Sequence, residues 1–256
     1  MTDVAGGAVR VALLIPALDE EEALPQVLSE LPPAEVDVIV VVDNGSRDGT
    51  GDVARGAGAL VIREERRGYG SACLAGLASL LSSDEVSGAA LDDEDIVVFL
   101  DADHSDYPAD LPTVLAPLRA DAADLVIGSR VLGGADMSAL LPQAWFGNRL
   151  ACLLMRVLFG ARHTDLGPFR AIRVRALRHL EMGDRDFGWT VEMQLKARVA
   201  EMRVVEVPVR YRRRIGKSKI TGTISGTLRA GWKILGWILG WRLKLCFSRR
   251  QIPKYL

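Results

Sequence analysis

The chain has 256 residues, of which 49% are hydrophobic and 25% are charged, which is the balance of an ordinary globular protein. This length predicts one large domain or two small ones, and the three scattered cysteines exclude a disulfide-rich scaffold and a zinc ribbon. The net charge of −1 hides an asymmetry, because residues 207–256 contain 13 of the 32 Lys and Arg residues and none of the 33 acidic residues. The basic end predicts an anionic partner.

Apolar segments of strand length alternate with helical segments in the first half of the chain. Strands are predicted over 9–15, 36–42, 58–63, 96–100 and 125–128, and Pro16 is predicted to end the first of them. Helices are predicted from the acidic run 19–22 to the residue before Pro32, after Thr50, over 68–81 and over 111–120. This alternation predicts an α/β fold with a mostly parallel central sheet flanked by helices.

The predicted strand 96–100 ends at two carboxylates, Asp101 and Asp103, which are separated by one residue. Alternate residues of an extended chain point to the same side, so both can face one spot beyond the strand. Ligands of open α/β sheets bind in the crevice at the carboxyl ends of the strands. Two oxygen ligands suit Mg²⁺ or Mn²⁺, which takes its other ligands from water and substrate phosphates. The alternative is that these aspartates only form a turn or a helix cap.

Acidic residues also follow the first two predicted strands. Asp19 and Glu20 come after the first strand, and Asp43 comes directly after the second. The carboxyl ends of parallel strands lie at one edge of the sheet, so these acids are predicted to share a single site with Asp101 and Asp103. The sequence therefore predicts a site for a nucleoside diphosphate.

Longer motifs resemble the family 2 glycosyltransferases that have the GT-A fold. The segments that carry this resemblance are IPALDEE at 15–21, VDNGSRDGT at 42–50 and DAD at 101–103. Further segments are similar to dolichyl-phosphate mannose synthase and polyprenyl-phosphate glycosyltransferases, namely RGYGSA at 67–72, GSR at 128–130, GNR at 147–149, TDLGPFR at 164–170, FGWTVEM at 187–193 and RRIGKSK at 213–219. The resemblance covers residues 9–225.

The resemblance implies roles for individual residues. A nucleotide-sugar site is implied at Pro16, Ala17, Asp19, Glu20, Asp43, Gly70, Asp101 and Ala102. A site for Mg²⁺ or Mn²⁺ is implied at Asp101, Asp103 and, through water, Ser105. Catalytic roles are implied for Asp103, Arg130, Glu192 and Arg213, and binding of the acceptor phosphate for Arg149, Arg213, Ser218 and Lys219. His104, between two of these residues, is predicted to face solvent.

The reaction implied by the resemblance is an inverting, metal-dependent transfer of a hexose from UDP-glucose or GDP-mannose to polyprenyl phosphate. A phosphate acceptor is already an anion, so no obligatory general base is predicted. One alternative is a glycosyltransferase with a soluble small-molecule acceptor. Another is a sugar-phosphate nucleotidyltransferase, which would need cations where the acidic run 19–22 stands.

Two further functional classes agree less well with the motifs. Gly68 and Gly70 suggest a dinucleotide-binding oxidoreductase, but Cys73 stands where the third glycine of that fingerprint belongs. A catalytically inactive binding module would require damaged acidic motifs, and these motifs are intact. Both classes are therefore disfavoured.

The chain is predicted to divide into a catalytic domain, residues 1–225, and a basic, Trp-rich amphipathic tail, residues 226–256. The apolar run 234–241 rises only ~12 Å as a helix, against a hydrocarbon core of ~30 Å. Trp232, Trp237 and Trp241 instead suit a helix that lies in the membrane surface with its rings at headgroup depth. These features predict a cytoplasmic protein held peripherally at the inner face of the cell membrane.

Other interpretations of the tail stay open. A homo-oligomer interface is the main alternative, whereas nucleic-acid binding is disfavoured because the aromatic residues are not interleaved with cations. A second apolar helix over 145–159 is predicted to lie beside the tail or in the core.

Overall fold

A computed structural model describes residues 8–82, 90–135, 142–216 and 224–247. Its strands are β1 (Val11–Ala17), β2 (Val38–Asp43), β3 (Leu60–Arg63), β4 (Ile96–Phe99), β5 (Leu125–Ser129), β6 (Arg170–Arg173) and β7 (Val204–Pro208). Its α-helices are α1 (Leu24–Ser29), α2 (Thr50–Gly56), α3 (Tyr69–Leu81), α4 (Leu111–Arg119), α5 (Pro142–Phe159), α6 (Val174–Leu180), α7 (Trp189–Val199) and α8 (Ile224–Phe247). Short 3₁₀ turns lie at Pro33–Glu35 and Pro108–Asp110.

These strands form one sheet in the order β3-β2-β1-β4-β6-β5-β7. Neighbouring strands are parallel except around β6, which runs antiparallel to both β4 and β5. The predicted α/β fold with a mostly parallel sheet is therefore confirmed. The strand order reverses between β1 and β4, and such a switch point opens a crevice at the carboxyl ends of the strands.

Strand β4 shows how the sheet divides the core into two layers. Ile96 and Val98 face a layer that includes α1 and α4, whereas Val97 and Phe99 face a layer that includes α3, α6 and α7. Each of these side chains is fully buried, because helices cover both faces of the sheet. Beyond the strand, Leu100 and Ala102 stay in the first layer.

The first strand and the first helix differ from their predicted limits. Pro16 lies inside β1, aligned with Val42 of β2, and pairing continues because the Ala17 carbonyl accepts the Asn44 N–H at 2.8 Å. The prediction that Pro16 ends the strand is wrong. The acidic run 19–22 does not open the helix either, because α1 begins at Leu24. Asp19 takes a left-handed conformation with φ of 51°, which helical backbone does not allow.

The predicted helix over 145–159 lies within α5, and α8 packs against α5 and α7. A third apolar cluster joins these helices through Ala151, Met155, Val191, Leu195 and Ile238. Trp237 and Trp241 pack against the same cluster with their rings stacked, the centroids 6.3 Å apart. These two rings contact protein, which differs from the predicted position at headgroup depth. Among the helices described, none has the length and apolar content needed to cross a membrane.

Candidate active site

The two carboxylates that follow β4 lie together at the edge of the sheet. Asp103 is buried, and its Oδ1 accepts the Ser105 backbone N–H at 2.9 Å. Asp101 is half-buried and accepts a hydrogen bond from the Tyr69 hydroxyl at 3.1 Å. Shielding from water raises the pKa of Asp101 to about 7, and the nearby Asp103 carboxylate adds to this rise. The pair concentrates negative charge that a cation would stabilise.

Arg214 brings a positive charge to this pair. Its Nη1 lies 3.0 Å from Asp103 Oδ2, and its Nη2 donates to Glu20 Oε1 at 3.1 Å. The loops that follow β1 and β4 therefore meet at one guanidinium. The resemblance implied a role for Arg213 and none for Arg214, but Arg213 is exposed and makes no hydrogen bond or ion pair to any residue that the structure describes.

The loops after β1 and β2 are joined by backbone-to-side-chain hydrogen bonds. The Asp19 N–H donates to Ser46 Oγ at 3.0 Å, and the Glu20 N–H donates to Thr50 Oγ1 at 2.9 Å. Asp43 is buried at the end of β2, where its Oδ1 accepts the Ser46 N–H at 2.8 Å. These contacts place Asp19, Glu20 and Asp43 at the same edge of the sheet, beside the exit of Pro16 and Ala17 from β1.

Arg130, directly after β5, is fixed by a buried carboxylate. Its Nε and Nη2 donate to Asp165 at 2.8 and 2.7 Å, and its backbone N–H donates to the same carboxylate at 2.8 Å. Burial works against the charge of Arg130, but the paired Asp165 outweighs it and raises the pKa of the guanidinium. The Tyr211 ring lies 5.1 Å from the guanidinium carbon. Arg130 thus carries a permanent charge whose remaining N–H groups are available to an anion.

The segment 210–215 lies along the residues that follow β4. The Arg212 N–H donates to the Ser105 carbonyl at 2.9 Å, and the Ile215 N–H donates to the Asp103 carbonyl at 3.0 Å. Every second side chain of this segment is an arginine paired with an acid, in the pairs Arg210 with Asp110, Arg212 with Glu30, and Arg214 with Asp103. Period-two alternation in an extended segment is the signal that would have separated Arg214 from Arg213.

His104 is buried, and the prediction that it faces solvent is wrong. Its Nε2 lies 2.8 Å from Glu30 Oε1, and its carbonyl accepts Arg212 Nε at 2.8 Å. A left-handed backbone with φ of 62° turns the side chain toward α1. The partner Glu30 is 74 residues away in sequence, so local pattern could not reveal it.

Asp106 is a second residue near the site that the sequence motifs did not indicate. Its carboxyl group is buried, and neither oxygen has a hydrogen-bond partner among the residues described. Burial raises its pKa well above the usual range, and the charge of Asp101 raises it further. Asp106 therefore adds a buried carboxyl group with a raised pKa to the interior beside the site.

Glu192 and Gly70 support the loop 183–188, which lies over the start of α3. The Glu192 carboxylate accepts the N–H groups of Gly183 and Asp184 at 2.9 and 2.7 Å and pairs with Lys196 at 2.8 Å. A Cβ atom on Gly70 would lie 2.1 Å from the Asp184 carbonyl oxygen. These contacts direct the Glu192 carboxylate to the loop, whereas the resemblance implied a catalytic role for it. They also account for Gly70 without a nucleotide.

The same loop joins α8 to the catalytic body. Asp184 Oδ2 accepts the Trp237 indole N–H at 2.6 Å and lies 3.1 Å from Lys233 Nζ. Its Oδ1 accepts the N–H groups of Asp186 and Gly188 at 2.8 and 3.0 Å. One carboxylate thus holds both the loop and the helix.

Of the remaining implied residues, Arg149 and Ala102 have described positions. Arg149 is exposed on α5, with its guanidinium carbon 4.5 Å from the Trp145 ring centroid. The side chain of Ala102 is buried in the core, so only its backbone faces outward. Ser218 and Lys219 lie outside the described residues.

The donor set at this edge suits a divalent cation that binds through few protein ligands. Within 8–82, 90–135, 142–216 and 224–247, no three His, Cys, Asp or Glu side chains form a metal-binding group. Asp101 and Asp103 are oxygen donors, and the Arg214 guanidinium against Asp103 marks the place of a positive charge. Such a pair fits Mg²⁺ or Mn²⁺ completed by water and phosphate oxygens. Ser105 is buried, and its hydroxyl hydrogen-bonds with Tyr211.

Comparisons with known proteins agree with this geometry. Residues 12–181 match the model of the glycosyl transferase family 2. The chain is 38% identical over 240 residues to an uncharacterised glycosyltransferase of Mycobacterium tuberculosis, covering 91% of this chain and 100% of the relative. It is 34% identical over 235 residues to an undecaprenyl-phosphate mannosyltransferase of Micrococcus luteus, covering 85% of this chain and 90% of the relative.

A solved structure with the same fold is glucosyl-3-phosphoglycerate synthase from Mycobacterium tuberculosis, crystallised with Mn²⁺, UDP-glucose and phosphoglyceric acid. The TM-score is 0.72 at 19% identity, over 97% of this chain and 88% of that one. At this sequence identity the similarity shows a shared fold, which is the GT-A fold.

Proposed function

The chain belongs to the glycosyl transferase family 2, and from that premise we propose that it transfers a hexose from UDP-glucose or GDP-mannose to polyprenyl phosphate, with inversion. The observation that carries this proposal is the carboxylate pair Asp101 and Asp103 at the switch point of the sheet, with Arg130 and Arg214 beside it. The name of the Micrococcus luteus relative supports a polyprenyl-phosphate acceptor. The name of that relative specifies mannose, whereas the fold neighbour was crystallised with UDP-glucose. The proposal therefore includes both hexoses.

The acidic edge of the sheet supports binding of the nucleotide sugar. Asp101 and Asp103 would hold Mg²⁺ or Mn²⁺, and a bound divalent cation supplies positive charge for the departing diphosphate. Asp43, at the end of β2, would accept hydrogen bonds from the base or ribose. Asp19 and Glu20 would shape the same end of the cleft, because hydrogen bonds tie their loop to the one after β2.

Three arginines, one fixed by a buried carboxylate and two exposed, support binding of a phosphate acceptor. Arg130 is held by Asp165 in one orientation, so its charge is positioned before any substrate binds. Arg149 and Arg213 are exposed and free to contact an anion that arrives from outside. A phosphate oxygen of the acceptor would attack the anomeric carbon while these cations hold it, without removal of a proton by the enzyme.

The outer surface of α5 and α8 supports attachment to a membrane. Large apolar side chains are exposed there, with exposed fractions of 64% for Phe146, 71% for Val157 and 81% for Trp232. Arg149 and Arg242 are exposed on the same two helices. Apolar side chains flanked by cations suit an anionic lipid surface. The enzyme would then meet its lipid acceptor at the inner face of the cell membrane.

Transfer to lipid can be tested with purified enzyme, radiolabelled UDP-glucose or GDP-mannose, Mn²⁺ and vesicles that contain polyprenyl phosphate. The expected result is label that moves into the organic phase on extraction. Asp103→Asn should abolish this transfer by removing charge from the metal site, while Asp110→Asn, which alters a peripheral ion pair, serves as the matched control. Label that stays wholly in water with both donors would refute a lipid acceptor.

A soluble acceptor is the second candidate, favoured by the fold neighbour that was crystallised with phosphoglyceric acid. A small phosphorylated acid presents the same anionic oxygen to Arg130 and Arg149 as a lipid phosphate does. Formation of a labelled, water-soluble product from phosphoglyceric acid, without vesicles, would support this candidate instead.

A further inference from the structure

Arg214 occupies an unusual position for a cation in a proposed metal site. Its guanidinium bridges Asp103 and Glu20, at 3.0 and 3.1 Å, and so covers one of the two carboxylates that would bind the ion. A divalent cation and this guanidinium cannot both lie against Asp103 Oδ2 in the present geometry. The side chain must therefore move before Asp103 binds a metal ion through this oxygen.

Arg214 also retains unused hydrogen-bonding capacity. Its Nε is buried and has no hydrogen-bond partner among the described residues. A buried, unpaired N–H is unfavourable, so an incoming anion that accepted from it would be stabilised. A diphosphate offers several such acceptor oxygens in a geometry that suits an arginine fork.

The other arginines near the site are fixed or distant. Arg130 is bound through two N–H groups by Asp165, and Arg212 is bound through two N–H groups by Glu30. Arg213 is exposed on the opposite side of the segment. Arg214 is the arginine of this segment whose partners are the acids of the metal and nucleotide site.

We propose that Arg214 is a displaceable counter-cation, which neutralises Asp103 and Glu20 in the absence of a divalent ion and turns to the diphosphate when metal and nucleotide bind together. This inference rests on the proposed function, because it assumes a metal ion and a nucleoside diphosphate at this site. Its consequence is that metal alone binds weakly, since the ion must displace Arg214 without offering it a new anion. Nucleotide then strengthens metal binding, and by reciprocity metal strengthens nucleotide binding.

The test measures Mn²⁺ binding by electron paramagnetic resonance, with and without UDP or GDP, in the full chain. In Arg214→Gln, Asp103 loses its counter-charge, so we expect Mn²⁺ alone to bind about fivefold more tightly than in the wild type. The gain in Mn²⁺ affinity on adding nucleotide should shrink by a similar factor. Arg214→Lys keeps the charge but cannot bridge both acids. Its Mn²⁺ affinity should therefore lie between those of the wild type and Arg214→Gln.

Arg210→Gln is the matched control, because Arg210 belongs to the same segment but pairs with Asp110. Unchanged Mn²⁺ affinity in this control would show that general loosening of the segment is not the cause. Equal Mn²⁺ affinity in wild type and Arg214→Gln, or an equal rise in Arg210→Gln, would overturn the inference. A wild-type protein that binds neither Mn²⁺ nor either nucleotide would instead refute the proposed function.

Discussion

At the scale of single residues, the site brings carboxyl groups out of water and close to one another. Asp101 is shielded by its surroundings and lies near Asp103, so its pKa rises to about 7 in the folded protein. In the unfolded chain an aspartate has a pKa of about 3.9. The folded state therefore binds a proton at Asp101 in the pH range where the unfolded state has lost it.

This difference predicts a pH-dependent stability. Because Asp101 has the raised pKa in the folded state, its contribution to the free energy of unfolding is greatest below about pH 4 and is lost as the pH rises to about 7. Asp101→Asn removes this loss, so the stability difference between variant and wild type should grow across that range. The slope is at most about 1.4 kcal/mol per pH unit for one proton. Urea unfolding of both proteins, from pH 4 to pH 8 without metal, would measure it.

Asp106 has a raised pKa as well, and the charge of Asp101 contributes to it, so Asp101→Asn also lowers the pKa of Asp106 and adds to the difference between the two profiles. Profiles that run parallel from pH 4 to pH 8 would contradict the assigned environment of Asp101.

The Arg130–Asp165 pair yields a second prediction. Asp165→Asn leaves a buried guanidinium without its counter-charge, so we expect a loss of about 3–5 kcal/mol in the free energy of unfolding. Asp110→Asn breaks an ion pair whose arginine is exposed, and should cost no more than about 1 kcal/mol. Equilibrium denaturation measures the stability loss of each variant. Equal losses in Asp165→Asn and Asp110→Asn would contradict the role assigned to the buried pair.

Residues close in sequence were easier to place than residues that meet only through the fold. The spacing of Asp101 and Asp103 sufficed to predict that they share one spot, since both follow one strand. The partners of His104 and Arg214 could not be identified in this way, because Glu30 and Glu20 are 74 and 194 residues away.

At the scale of elements, apolar runs located the strands well and their ends less well. Within the predicted segment 36–42, residues 38–42 are continuously apolar and indicate β2, because helices cover both faces of the sheet there. The acids at 19–22 resemble the first turn of a helix, yet they lie in a loop that is tied to the loop after β2. Tertiary hydrogen bonds determine the conformation of this segment, and its local composition does not predict them.

The contact between α3 and the loop 183–188 predicts the effect of adding one methyl group. In Gly70→Ala the Cβ would meet the Asp184 carbonyl, a backbone atom that cannot move away cheaply, so we expect a loss of about 1–3 kcal/mol in stability. Gly147→Ala in α5 meets no atom within 4 Å and should stabilise the helix by about 0.5–1 kcal/mol. Thermal unfolding of the pair tests this, and a neutral Gly70→Ala would contradict the close approach.

At the scale of the whole molecule, the basic segment serves two different surfaces. Arg210, Arg212 and Arg214 pair with acidic residues of the sheet-and-helix body, so part of the charge asymmetry in the sequence is neutralised within the protein. Arg242 remains exposed on α8, together with the apolar side chains of α5 and α8. Composition alone could not distinguish these two uses of positive charge.

The exposed face of α5 and α8 predicts how the protein binds vesicles. Trp232→Ala removes the most exposed of the large apolar side chains described on these two helices, so binding to anionic vesicles should weaken roughly tenfold. Val9→Ser changes an exposed apolar residue next to β1 and is the matched control. Cosedimentation with vesicles of anionic and neutral lipid measures both variants. Equal binding by Trp232→Ala and Val9→Ser would exclude this face as the lipid contact.

The reversed direction of β6 has a consequence for how such an enzyme can diversify. In a wholly parallel sheet, only the loops that follow strands reach the ligand edge, whereas β6 begins at that edge, with Arg170 aligned to Phe99 of β4. Under the proposed function, the residues that lead into β6, including Asp165, would therefore contribute to the acceptor half, and the loops after β1 and β2 would form the nucleotide half. Insertions ahead of β6 would then change the specificity for the acceptor without altering the nucleotide half.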